Sequence, residues 1–174
     1  LKMVLGGQTL FGELIQDLRR RLVSADLHTA AKKGRVRSAK VVKDYLDRVV
    51  SDVKLARPMK VVLDCGNGVA GASAPGILRA IGCEVIELFS EVDGNFPNHH
   101  PDPSKPENLV DLKAALVTTG AELGLAFDGD GDRLGVVTRD GENIFADRLL
   151  MLFAADVLER NPGAMIVYDV KDRK

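Results

Sequence analysis

Apolar residues recur along this chain in two alternating rhythms. Leu10, Leu14, Leu18 and Leu22, with Phe11 and Ile15 beside them, keep helical spacing and predict a helix over 10–22. The apolar run LKMVL before it reads as a short strand, and Thr9 is placed to cap the helix. Val42, Tyr45, Leu46, Val49, Val50 and Val53 fall on one side of a second helix, over 41–53. The rhythm then changes. KVVLDC, CEVIELF, ELGLAF and RLGVVT are apolar runs of strand length, and they alternate with helical patterns over 72–81, 108–119 and 146–159. AMIVYDV reads as a last strand. This order predicts an α/β fold, with a mixed, mostly parallel sheet and helices on both faces. ELGLAF and RLGVVT are joined too tightly for a crossover, so they should pair antiparallel at or near a sheet edge. RDGEN, after RLGVVT, marks a hairpin turn.

Residues 24–39 are polar, basic and aperiodic, and read as a linker. Residues 91–106 form a long loop with four prolines and the pair His99–His100. Adjacent side chains on an extended chain point apart, so a metal shared by the two histidines is not expected, and the loop reads as structural. Both ends of the chain run straight into strand-like sequence, and a piece of a longer polypeptide is expected.

Composition narrows the function. Hydrophobic residues make up 45% of the 174 positions, enough for a packed core. There are 24 basic and 25 acidic residues, a net charge of -1, so no broad basic face awaits nucleic acid. No apolar run reaches the roughly 18 residues of a membrane span. Cys65 and Cys83 are the only cysteines, and without metal-type spacing they read as free thiols of a cytoplasmic protein.

Two glycine-rich stretches carry the candidate chemistry. GNGVAG, Gly66–Gly71, follows a strand and opens a helix, which fits the dinucleotide fingerprint, with Glu87 or Glu91 about twenty positions on as the ribose carboxylate. The competing reading is a helix turning closely off a strand. The second stretch, FDGDGDRLGV, sets Asp128, Asp130 and Asp132 at alternate positions. On a flat strand they would spread over about 13 Å. Glycines between them let the chain curl until the carboxylates converge. Their repulsion then calls for a hard divalent cation. A calcium EF-hand does not fit: counting from Asp128, Arg133 holds the glycine position and Arg139 the glutamate position. Arg133, directly after the cluster, suits a phosphate shared between metal and guanidinium. These residues point to Mg2+-assisted phosphoryl chemistry.

FDGDGDRLGVV resembles the metal-binding loop of the α-D-phosphohexomutases, phosphomannomutase/phosphoglucomutase branch. VVLDCGNGVAG, EVDGNFPNHHPDPSKPENL and DRLLMLFAADVLERNPGAMIVYDVK are similar to the same branch, in the same order. The resemblance implies a four-domain enzyme that interconverts hexose 1-phosphate and 6-phosphate through a phosphoserine and a bisphosphorylated sugar. It implies Asp128, Asp130 and Asp132 as Mg2+ ligands together with that phosphoserine, and Arg133 as a phosphate-neutralising catalytic residue. Lys2 resembles a lysine just after the family's serine loop, a candidate general acid/base; it also reads simply as an exposed residue at a chain end. On this reading residues 1–38 are the tail of domain 1 with its linker, 39–141 all of domain 2, and 142–174 the opening of domain 3. The partners implied are a phosphorylated hexose and the parent's other domains. The alternative is a free-standing α/β module that binds a dinucleotide through Gly66–Gly71, or a structural divalent ion.

Overall fold

The computed structural model describes residues 3–168 of the chain, which divides into two compact units, before and after the Ala39–Lys40 junction. Lys2 lies outside the described residues. In the first unit, β1 (Val4–Leu5) and β2 (Gln8–Thr9) form an antiparallel hairpin. Gly6 and Gly7 turn it with φ of 56° and 81°, the left-handed pair that matches strand twist in a two-residue hairpin. Thr9 is therefore a strand residue and not the expected cap: α1 (Glu13–Val23) starts after Gly12. Asp17 pairs with Arg20 and Arg21 along the helix.

The second unit opens with α2 (Val42–Asp52) and β3 (Met59–Asp64). A 3-10 turn, Val69–Ala72, leads into α3 (Ala74–Ala80), which starts two residues later than its apolar pattern suggests because the turn consumes them. Then come β4 (Cys83–Leu88), a 3-10 turn at Pro106–Leu109 and α4 (Val110–Thr119). β5 (Leu123–Phe127), β6 (Leu134–Thr138), the short β7 (Asn143–Ile144) and α5 (Ala146–Arg160) complete it. The strand order is β4-β3-β5-β6-β7. β4 and β5 flank β3 in parallel, while β5–β6 and β6–β7 are antiparallel. The expected mixed α/β sheet and its antiparallel pair near an edge are present. Ala164–Tyr168 forms no strand; no described strand offers it a ladder.

Connections decide where a ligand can sit. The chain leaves β3 for β4 on one side and returns past β3 to β5 on the other. Right-handed crossovers then place α3 and α4 on opposite faces. The crevice between the carboxyl ends of β3 and β5 is the switch point at which open α/β sheets bind ligands. Below it, Val62, Leu109, Leu112, Leu116, Ala121, Ala126 and Val137 close the core between sheet and α4. Leu112 and Leu116 approach the sheet over Gly124, where a Cβ would stand 3.0 Å from each.

Both cysteines are free thiols, as expected. Cys83 pairs in register with Met59 at the start of β3, whereas Cys65 follows its far end. About 3.3 Å per residue separates them by far more than a disulfide spans. Burial pushes the Cys65 thiol up to about 11, so it stays protonated and unreactive at neutral pH. None of the described helices is long and apolar enough to cross a membrane.

Candidate metal and phosphate site

Two turns meet at the switch point: one leaves β3 and the other leaves β5. Asp64 ends β3 with its side chain buried, and its Oδ1 accepts the Gly66 N–H at 2.8 Å. Gly66 and Asn67 follow with left-handed φ of 50° and 59°. Asn67 is also buried. Its Nδ2 donates to the Glu91 carbonyl, and its Oδ1 accepts from Asn98 Nδ2 at 2.7 Å. The glycines of this turn make room for the protein itself. A Cβ on Gly66 would stand 2.9 Å from Pro101 Cβ, and one on Gly68 would stand 2.8 Å from the Gly129 carbonyl oxygen. A Cβ on Gly71 would collide with the Ser90 carbonyl.

Most of the turn's amides are spoken for as well. Those of Asn67, Gly68, Val69 and Gly71 donate to the carbonyls of Phe89, Cys65, Gly129 and Gly68. Glu87 faces Arg79 at 2.6 Å, and the Ser90 hydroxyl and Arg79 hold its carboxyl below the usual range. A dinucleotide fingerprint needs open amides and a close backbone approach for pyrophosphate. In this turn the chain's own loops occupy that approach.

The acidic turn is built by its own backbone. Phe127 and Leu134 are the last paired residues of the β5–β6 ladder. The Asp128 N–H reaches the Arg133 carbonyl, and the Arg133 N–H returns to Asp128 Oδ1 at 3.0 Å. The Gly131 N–H bonds the Asp128 carbonyl, with Gly131 left-handed at φ 73°. Gly131 thus supplies the backbone freedom expected of both glycines. At Gly129 an added Cβ would meet Phe96 and Pro101 at 3.4 Å, an ordinary van der Waals contact.

The result is convergence. Asp128, Asp130 and Asp132 each bring a carboxylate oxygen within 4.8 Å of the others. Asp128 is buried, while Asp130 and Asp132 are exposed. Two ligand radii of Mg2+ span about 4.2 Å, so modest rotation of the two exposed side chains closes the set. Among the described residues, one guanidinium stands against the three charges: Arg133 Nε lies 3.5 Å from Asp128 Oδ2 and 3.8 Å from Asp132 Oδ1. Its side chain is 67% exposed, free to turn toward an anion. Hard oxygen donors left with an uncompensated negative charge fit a hard divalent cation.

His99 is half-buried and held by two partners, whereas His100 is exposed. His99 Nε2 lies 3.0 Å from Asp64 Oδ2, and its Nδ1 lies 3.0 Å from the His100 carbonyl. The long loop is thus pinned to β3 across 35 positions of sequence. Asp64 and Asn67 both lie within VVLDCGNGVAG. Their partners His99 and Asn98 carry no spacing signal that could have revealed them.

An acidic hairpin at the carboxyl edge of a mixed sheet, beside a glycine turn filled by its own loops, sets the chain in the class of α/β domains. Within that class, residues 43–141 match the family model described as phosphoglucomutase/phosphomannomutase, alpha/beta/alpha domain II, and the chain belongs to this family. It is 61% identical over 98% of its length to a phosphomannomutase/phosphoglucomutase of Pseudomonas putida, covering 36% of that protein. It is 57% identical over 99% of its length to a phosphoglucomutase of Neisseria gonorrhoeae, covering 38% of it. A crystal structure of a phosphoglucomutase/phosphomannomutase family protein from Burkholderia thailandensis superposes with a TM-score of 0.89 at 57% identity, over 98% of this chain and 37% of that one. The chain thus spans little more than a third of these relatives.

Proposed function

We propose that this chain is the metal-binding segment of a cytoplasmic hexose-phosphate mutase acting on glucose or mannose phosphates, with Asp128, Asp130 and Asp132 as ligands of Mg2+. The observation that carries the reading is the convergence of three carboxylates within 4.8 Å on a turn whose one adjacent guanidinium is exposed. Bound there, Mg2+ would supply charge neutralisation for a transferring phosphoryl group. The chain's own residues divide the remaining work. Asp128 is held by the Arg133 amide, which fixes one donor while the exposed pair adapts. The Arg133 guanidinium takes a non-bridging phosphate oxygen and holds the phosphoryl group against the acidic turn.

In the parent enzyme, a serine outside these 174 residues gives its phosphoryl group to the free hydroxyl of a hexose monophosphate. The bisphosphate turns round and returns its other phosphoryl group to the serine. One phosphate ester forms as another breaks, so the protein ends as it began. Lys2, ahead of the described residues, is the candidate group for moving the hydroxyl proton. Residues 1–38, 39–141 and 142–174 stand as the end of domain 1, domain 2 and the start of domain 3. The partners are the sugar phosphate and the remaining domains.

Calorimetric titration of the chain with Mg2+ tests the ligand set. Weak but measurable binding that disappears in Asp130→Asn is expected; equal binding by variant and wild type overturns it.

A further inference from the structure

We propose that Asp64 and His99 are positioning residues of the acidic turn, setting the direction of the Asp128–Asp132 carboxylates through the two loops they join. The inference rests on the metal reading above and deepens it.

The Asp128–Gly129 backbone is gripped from two sides. On one side is the turn after β3. The Val69 N–H donates to the Gly129 carbonyl at 3.1 Å. Gly68 lies so close that an added Cβ would stand 3.0 Å from Gly129 Cα and 3.1 Å from the Asp128 carbonyl oxygen. On the other side is the long loop, whose Phe96 and Pro101 close over Gly129. Nothing in the β5–β6 ladder ties these two jaws together.

Asp64 and His99 do. One carboxylate oxygen of Asp64 accepts the Gly66 amide, and both oxygens face His99 Nε2, at 3.2 and 3.0 Å. The far ring nitrogen lies 3.0 Å from the His100 carbonyl oxygen. The ring is thereby held at both ends, and Phe89 packs edge-on against it at 5.3 Å. Pro101 follows two residues later, wedged between Gly66 and Gly129.

Asp64 is 1% exposed and the His99 side chain 15%. Burying such a pair is costly, and hydrophobic residues of similar size would hold a fold as well. A hydrogen-bonded pair adds a fixed direction, which a ligand set needs and a core does not. Neither side chain is among the contacts of the three aspartates, so both act through Gly66, Pro101 and Gly129.

The test is Mn2+ binding by the 174-residue chain, read from the electron paramagnetic resonance of free Mn2+, with folding checked by circular dichroism. Asp64→Ala and His99→Ala should each weaken binding about tenfold, the lower end of what disrupting the support of metal ligands costs. His99→Gln, whose amide still donates toward Asp64, should recover most of that loss. Leu116→Ala, which loosens the core without touching either jaw, should bind as wild type. Wild-type affinity in His99→Ala, or an equal loss in Leu116→Ala, overturns the inference. Should the alanine variants fail to fold, Pro101→Gly removes one jaw and leaves the pair intact; a similar loss is expected, and wild-type affinity again overturns it. Asp130→Asn separates the two levels. If it binds Mn2+ like wild type, or if the wild-type chain binds none, the metal reading itself falls and this inference with it.

Discussion

Gly68 shows how much a single position carries. Its φ of -79° is open to any residue, so glycine is needed there for space alone. The added methyl of Gly68→Ala would stand 2.8 Å from a backbone carbonyl that cannot rotate away. A loss of about 1–3 kcal/mol is expected from such overpacking, read as a lower urea midpoint with an unchanged slope. The acidic turn should be displaced with it, so Mg2+ affinity should fall too. Gly131→Ala acts differently, by forcing a side chain into left-handed backbone at φ 73°. The motif around both glycines is legible in sequence, but their separate roles are not. Spacing suggests that a glycine matters; only the neighbour pressed against it tells whether it gives angle or room.

At the scale of elements, two features fix the sheet. The first is α4 on the core. Leu116 is 1% exposed, and Leu116→Ala should cost about 2–5 kcal/mol, measurable by chemical denaturation. The second is an ion cluster at the opposite edge from the site. Arg57 grips both carboxylate oxygens of Glu122, at 3.0 and 2.6 Å, the Lys60 amide donates at 3.3 Å, and Arg139 stands 3.7 Å away. It ties the starts of β3 and β5 to the end of β6. Arg57 first, then the Lys60 amide, draws the Glu122 carboxyl from 4.5 down to about 2. Its contribution is therefore complete above pH 4.5. It fades as pH falls toward about 2, because the unfolded chain takes up the proton first. Glu122→Gln should lower the urea midpoint at pH 7 and converge on wild type near pH 2. A constant difference at every pH would remove the ionic explanation. Asp64 runs the other way, its carboxyl raised chiefly by burial, so comparing variant with wild type isolates Glu122. The strands and helices themselves are legible from apolar spacing. The cluster is not, since Arg57 and Glu122 lie 65 positions apart.

At the scale of the molecule, the chain covers little more than a third of its relatives. On the proposed function, the phosphoserine lies outside these 174 residues. A coupled assay on the purified chain should show no conversion of glucose 1-phosphate to glucose 6-phosphate; measurable turnover would place the nucleophile within it. Titration with NADH should likewise show no micromolar binding, because the turn after β3 is filled. The sequence by itself determined the α/β class, the antiparallel pair and the acidic turn, because apolar period and charge spacing are local and each is written within a dozen residues. It also offered a dinucleotide fingerprint with equal plainness. What told the two glycine motifs apart was tertiary: Ser90, Pro101 and Gly129 pack into the first turn, while Asp130 and Asp132 of the second stay exposed. The Asp64–His99 link was likewise decided only by folding, since long-range hydrogen bonds follow from where the strands and loops come to lie and leave no periodic mark along the chain.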